Sequence, residues 1–467
     1  MDAGLAGILS LFLILSIMCF MLWKNNWKRD QLPPGPAPWF LLGNLWQKDV
    51  LPLQKSYQKL YKKYGPVFTV WLGPKPAVVL CGYEAVRDAL VGHAEEFGGR
   101  LVTGSEKKWR ELRRFTITTL RNFGMGKKTM AQRVQEETQY LVEAVADMEG
   151  EAFDPISSVR HAVSNVVCAV VFGSRFSYKD QAFLELLGMM GNYSNYFIPI
   201  TSPVPRCTTP FLASCKLKNF IQKRIDSHKR TLEPSCPRDY IDCFLIKSEK
   251  GKSTSEDVFS DENLLMAVFD LFGAGTVSTA NSLLFFFLVM AKFPQIQARV
   301  QQEIEEVVGA THAPSMEDRV RMPYTNAVIH EMQRSQKGQI ENFPRAVTRR
   351  TEFRGYIIPQ GTAVIPLFST VHSDPKHWKT PEEFNPGHFL DEKGEFRPNE
   401  AFMPFSAGKR MCPGEGLARM ELFLFFSTLL QNFTFKLATD PKEMDILSLW
   451  VDYQNKGPYC KFHLIRR

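Results

Sequence analysis

Phe405-Ser-Ala-Gly408-Lys-Arg410-Met-Cys412-Pro-Gly414-Glu-Gly416 runs straight into an apolar helical pattern from Leu417 to Leu430. One cysteine sits in a glycine-punctuated loop at a helix start, with Arg410 two residues before it and Gly414 two after. Unpaired backbone N–H groups at a helix start, together with basic neighbours, lower a thiol's pKa and stabilise the anion that binds metal or attacks electrophiles. A lone cysteine is more often a buried structural residue. Here Gly408, Gly414 and Gly416 argue for the thiolate, because they let the backbone approach something flat and bulky.

The surrounding chain of 467 residues is 44% hydrophobic and 23% charged, an ordinary globular composition without low-complexity tracts. No Gly/Ser-rich or Pro-rich linker interrupts it after residue 40, which favours one large domain over 41–467. Nine cysteines without paired short spacing suggest neither a disulfide framework nor a zinc site, and fit a reduced, cytosol-facing domain. The net charge of +8 is modest, and no nucleic-acid motif accompanies it. A basic face for an acidic partner or an anionic membrane is the sharper reading of that charge, a soluble surface the plainer one.

Leu5 to Trp23 is an uninterrupted apolar run long enough to span a bilayer. Lys24, Lys28 and Arg29 follow it and Asp2 precedes it, which places the C-terminal side in the cytoplasm. A cleaved signal peptide would carry its positive charge first, so residues 1–24 read as a retained anchor. Residues 25–40, with Leu32-Pro-Pro-Gly-Pro36-Ala-Pro38, form a stiff, non-helical hinge.

Beyond the hinge the pattern is mainly α with small β-sheets. A helix over Leu53 to Tyr64 precedes a hairpin of Val67 to Trp71 and Ala77 to Cys81. Lys107 opens a basic helix on which Trp109 and Arg113, four apart, share a face. Asn263 to Lys292 is a long apolar helix, and Asp270, two glycines and Asn281 favour a buried core helix over a second membrane span. Helices over Ala291 to Val308 and Asn326 to Arg334 follow, the second bringing Glu331 and Arg334 to one face. Tyr356 to Ile358 and Ala363 to Ile365 are expected to pair around Pro359-Gln-Gly361.

These residues resemble the cytochrome P450 family, the haem-thiolate monooxygenases, over nearly the whole chain. Phe405, Gly408, Arg410, Cys412 and Gly414 fit the cysteine-loop pattern F-x-x-G-x-R-x-C-x-G; Glu331 and Arg334 fit the E-x-x-R helix; Phe384, Pro386, His388 and Phe389 fit the P-x-x-F-x-P-x-[R/H]-F loop. The proline-rich hinge and Pro237-Arg-Asp-Tyr-Ile-Asp-Cys-Phe-Leu resemble the second, animal microsomal branch, which handles drugs, steroids and fatty acids. The resemblance implies the family fold, with haem between a long buried helix and the cysteine loop. It implies haem b, iron protoporphyrin IX, with Cys412 as axial ligand, and Trp109, Arg113, Arg345 and Arg410 on the propionates. Phe405, Gly414 and Ala274 would line the cofactor, and Glu331, Arg334 and His388 would form a structural triad behind the loop.

By the same resemblance the long helix crosses the distal face. The family's acid and hydroxyl there relay protons to iron-bound oxygen; this chain reads Ala274-Gly275-Thr276-Val277-Ser278-Thr279. Valine cannot relay a proton. Ser278 is therefore the candidate for oxygen activation, with Thr279 behind it, and Asp270 is a substrate-pocket candidate on nearly the same face as Ala274 and Ser278. Two stretches, Arg100 to Trp109 and Leu187 to Leu212, are each roughly a dozen residues shorter than in the family. Ser335 to Asn342 is more polar than the segment that usually faces the haem.

The activity implied is oxygen insertion into a lipophilic small molecule at the endoplasmic reticulum membrane, on its cytoplasmic side. Electrons would come from NADPH through a membrane flavoprotein reductase, with cytochrome b5 a second partner, docking on Lys107, Lys108, Arg110, Arg114, Lys127, Lys128 and Lys409. A shortened haem-binding isoform that does not turn over, and a lipid hydroperoxide isomerase that needs no reductase, are the alternatives.

Overall fold

The computed structural model describes residues 12–13, 16, 31–39, 41–51, 53–100, 106–125, 128–147, 154–194, 209–251, 258–336, 344–438 and 462–467. Most of the expected anchor, most of the polar stretch Ser335 to Asn342, Lys127, and residues 101–105 and 195–208 of the two shortened segments lie outside the described residues.

The long apolar pattern forms α9 (Asp261–Lys292), 32 residues or about 48 Å of helix. Ser260 caps it by accepting from the Asn263 N–H at 3.3 Å, and Asp261 and Glu262 complement the helix dipole in the first turn. Its most apolar window is 72% buried inside the fold, so it is a core helix. Phe285, Phe286 and Phe287 meet Phe423, Phe425 and Phe426 of α13 (Glu415–Asn432) in the largest hydrophobic cluster, together with α4 (Lys128–Ala146) and α5 (Ile156–Val171). α5 lies so close to α9 that a Cβ on Gly275 would stand 2.8 Å from a Val167 methyl. Ser164 and Thr276 hydrogen-bond across the same crossing at 2.9 Å.

Near the N-terminal end, α1 (Leu53–Tyr64) leads to β1 (Val67–Leu72) and β2 (Lys75–Cys81), the expected hairpin. α2 (Tyr83–Arg87) and a π-helical turn over Asp88–Gly92 follow. The basic helix is α3 (Glu106–Asn122). α6 (Gln181–Ser194), α7 (Thr209–Thr231) and α8 (Tyr240–Gly251) pack a second cluster around Phe183, Ile221 and Phe244 against the first half of α9. α10 (Pro294–Val307) and α11 (Pro323–Ser335) each pack against both α9 and α13. Gly309, at φ +79, ends the first of them.

One expectation fails. Tyr356–Ile358 (β5) and the strand Ala363–Leu367 (β6) do not pair with each other. β5 pairs antiparallel with β4 (Thr351–Phe353), while β6 joins β2 in parallel and β3 (Arg345–Ala346) antiparallel. Gly361, at φ +78, turns the chain out of one sheet into the other, and its N–H donates to the Val347 carbonyl. The result is a four-stranded sheet ordered β1-β2-β6-β3, and it carries Arg345 on its last strand. β7 (Phe433–Leu437) and β8 (Phe462–Arg466) form a separate pair beyond α13.

Candidate functional site

Cys412 lies between a short 3-10 turn (Gly408–Arg410) and Gly414, which caps α13. Its N–H donates to the Phe405 carbonyl at 3.0 Å and closes the loop. Burial raises the thiol above its ordinary value, while the backbone N–H groups of Gly414 and Glu415 and the nearby Arg113 only partly oppose that rise. In the chain by itself desolvation thus outweighs the loop and its basic neighbours, and a bound cation would favour the thiolate. The glycines also serve a different purpose. Gly408, at φ +68, packs where a Cβ would collide with the Leu90 carbonyl, so it is needed by the protein's own backbone. Around Gly414 the nearest atom to such a Cβ is the Cys412 sulfur at 3.9 Å.

Above the loop, four guanidinium groups converge. Arg410 lies over the Trp109 ring at 3.1 Å from its centroid, and Arg113 stands 5.5 Å from the same ring. Arg410 Nε donates to the Gly98 carbonyl at 2.7 Å, Arg345 to the Ser406 hydroxyl at 2.8 Å, and Arg113 to the Met411 carbonyl. Arg100 completes the group and donates to the Pro344 carbonyl at 2.7 Å. Burial, with Arg100, Arg410 and Arg113 around it, lowers Arg345 to about 9; burial with Arg100 and Arg113 lowers Arg410 to about 10. Such a cluster is completed by an anion of two or more charges. Trp109, Arg113, Arg345 and Arg410 are thereby brought together as the sequence predicted. Arg100 was missed, since a single arginine before a polar stretch carries no motif.

The long helix α9 carries the other candidate residues. Asp270, Ala274 and Ser278, four apart, are its exposed residues along this stretch, while Val268, Phe272 and Thr276 are buried. Together they form an open stripe on a helix that is otherwise largely packed. Ser278 Oγ donates to the Ala274 carbonyl at 2.7 Å. Asp270 is raised above the ordinary carboxylate range by the surrounding protein, with Lys218 of α7 opposing. Thr279 is not on this stripe: it is 3% exposed and donates to Glu421 of α13 at 3.2 Å, which corrects its placement behind Ser278.

Behind the loop, Arg334 grips both oxygens of Glu331 at 2.8 and 2.7 Å. Its remaining hydrogens reach the carbonyls of His372, Pro381 and Glu383 at 2.7, 2.8 and 2.8 Å. His388 Nε2 accepts from the Thr380 N–H, which leaves the proton on Nδ1 to donate to Glu331 at 3.2 Å. Every polar atom of this buried triad therefore has a partner. On the outer face, Arg110 and Lys409 are held by Glu95 and Glu106. Lys107 and Arg114 are exposed, as is Lys128.

The residues present fit a haem: a half-buried cysteine lies in a loop at a helix start, and four arginines cluster beside it, as two carboxylates would require. Comparison with known proteins agrees. A family model described as Cytochrome P450 matches residues 33–460. Cytochrome P450 2C5 of Oryctolagus cuniculus is 45% identical over 466 residues, covering 94% of this chain and 95% of that protein. Cytochrome P450 2G1 of Rattus norvegicus is 42% identical over 472 residues, 95% of this chain and 96% of the relative. Cytochrome P450 2C8 of Homo sapiens is 44% identical over 481 residues, 95% and 98% of the two chains.

Proposed function

This chain belongs to the cytochrome P450 family, in its animal second branch, and on that footing we propose a membrane-bound monooxygenase that inserts one oxygen atom into a lipophilic small molecule. A haem held by a cysteine thiolate supplies an electron-rich iron that favours O–O cleavage. Cys412 would hold it through its thiolate, with the Gly414 and Glu415 N–H groups tuning the sulfur. Arg100, Arg113, Arg345 and Arg410 would hold the propionates, with Trp109 between two of them.

On the open stripe of α9 Ser278 would be the hydroxyl that holds and delivers a proton. In this structure it is engaged with the Ala274 carbonyl, so it must rotate, or share its proton through water, to serve there. Val277 contributes no proton. Asp270, one turn before Ala274, would orient a basic group or a neighbouring loop. Electrons would arrive from NADPH through a flavoprotein reductase, with cytochrome b5 a second donor, on the cysteine-loop face. There Lys108, Arg114 and Lys128 would be docking cations, whereas Arg110 and Lys409 are engaged by the chain's own carboxylates. Residues 1–24 would anchor the protein in the endoplasmic reticulum membrane, and 25–40 would hold the domain 41–467 on the cytoplasmic side.

The observation that carries this reading is the convergence of Arg113, Arg345 and Arg410 on the cysteine loop, where they bond Met411, Ser406 and Gly98. The carbon monoxide difference spectrum of the reduced protein tests it. The band of a thiolate-ligated haem is expected in the wild type and absent in Cys412→Ala; an unchanged band in the variant overturns the ligand assignment. Oxygenated product with NADPH and reductase tests turnover, and NADPH consumed with no product counts against it.

A further inference from the structure

Glu421 has no part in the chemistry described so far, yet its surroundings are unusual. It lies on α13, nine residues beyond Cys412, and is 1% exposed. One carboxyl oxygen accepts from Thr279 of α9 at 3.2 Å; the other, Oε1, is buried without any hydrogen bond. Among the described residues, the charged groups near α13 face other partners; Arg319, over the Phe423 ring of α13, donates to Asn326. On α4, Glu137 is bound by Arg175 and Asn165. On α10, Glu303 takes the N–H groups of Tyr324 and Thr325, and Arg299 lies over Tyr324. On α11, His330 accepts from Arg419, and Glu331 is bound by Arg334. On α13 itself Glu415 and Arg419 pair with each other, and on α9 Asp270 is opposed by Lys218. Lys436 of β7 is exposed. A carboxylate here would be a buried, unpaired charge, which costs far more than a buried neutral acid with one hydrogen bond.

Thr279 immediately follows Ser278, and Val277, which precedes it, offers this turn of α9 no polar grip. We propose that Glu421, as an un-ionised acid, is a positioning residue of the distal turn. Its grip on Thr279 ties α9 to the helix that follows the cysteine loop, and fixes the rotation that turns Ala274 and Ser278 onto the open stripe. Burial, only partly opposed by Thr279, raises the Glu421 carboxyl to about 8. Ionisation above that range would loosen the tie. The role of the turn in oxygen activation rests on the function proposed above, whereas the tie itself does not.

Three measurements on the ferric holoprotein test this, and none requires substrate oxygenation. In infrared difference spectra, Glu421→Gln should lose the C=O band of one protonated carboxyl, and Thr279→Val should shift that band. The Soret absorbance of the wild type should change with one proton at a midpoint near pH 8, and Glu421→Gln should be flat. Glu421→Gln, which keeps an acceptor for Thr279, should hold the wild-type spin state at neutral pH. Glu421→Leu and Thr279→Val should alter it alike, and together no more than either alone. An unchanged carboxyl band in Glu421→Gln, an alkaline transition that survives in it, or additive effects of Glu421→Leu and Thr279→Val in the double variant would each overturn the proposal.

Discussion

Arg100, Arg113, Arg345 and Arg410 repel one another in a largely buried site, and a dianionic partner would reverse the sign of the interaction. Removing one charge while keeping its hydrogen bond separates the two effects. Arg100→Gln can still donate to the Pro344 carbonyl. The thermal midpoint of the haem-free chain is expected to rise, because the Coulomb load on Arg345 falls. Haem retention is expected to fall about tenfold, or ~1.4 kcal/mol, in transfer to a competing apoprotein. Parallel losses in both assays would mean that Arg100 is merely structural. At this scale the sequence revealed what recurred at a fixed spacing: Cys412 with Arg410 and Phe405, Glu331 with Arg334, Trp109 with Arg113. It was silent on Arg100, which depends on distant neighbours. Nor could it show how strongly burial opposes the loop N–H groups at Cys412, since only folding determines burial.

Elements were legible to the extent that periodicity determines them. The boundaries of α1 match their expected residues, and α9 begins two residues before its predicted start at Asn263. Pairing was less legible. β5 and β6 each have a strand pattern, but alternation cannot say which strand lies alongside, and the intervening turn at Gly361 leads out of the sheet rather than back. Side-chain orientation on α9 was half legible: the four-residue spacing of Asp270, Ala274 and Ser278 identified the open stripe, whereas the hydroxyl of Thr279 belongs to the opposite packing surface. The tie that joins α11 to the loop before the cysteine predicts a larger effect than any of these. Arg334→Ala would leave Glu331, which is fully buried, without its cation, and is expected to cost about 3–5 kcal/mol. Chemical denaturation of the holoprotein would measure it; a loss under about 1 kcal/mol would contradict a buried, fully bonded pair.

For the whole molecule, three neutral histidines set the acid limit. Burial lowers His161 to about 4 and His330 and His372 to about 3. His372 Nε2 accepts from the Met403 N–H and His330 Nε2 accepts from Arg419, so protonation breaks a bond in each case. Their folded values lie below the unfolded 6.5, so the stability they contribute is complete above pH 6.5 and is lost as pH falls toward their folded values. His228, raised by Asp239 against its burial, works in the opposite direction and is outnumbered. The urea midpoint should therefore fall steadily below pH 6.5, each histidine adding up to about 1.4 kcal/mol per pH unit, and His372→Gln should flatten the slope. A midpoint level down to pH 4.5 would refute this.

The parallel pairing of β2 with β6 also has a consequence for the order in which the protein can be built. Ala77 lies against Ala363, 286 residues later in the chain (363 − 77). At about 5–20 residues per second of synthesis, the β1–β2 hairpin waits on the order of 15–60 s with one edge unpaired. The arginine cluster waits longer still, since its last member is residue 410. The nascent chain thus holds an open strand edge beside an incomplete cation site for most of its emergence from the ribosome, and its vulnerability to misassembly is concentrated in that interval.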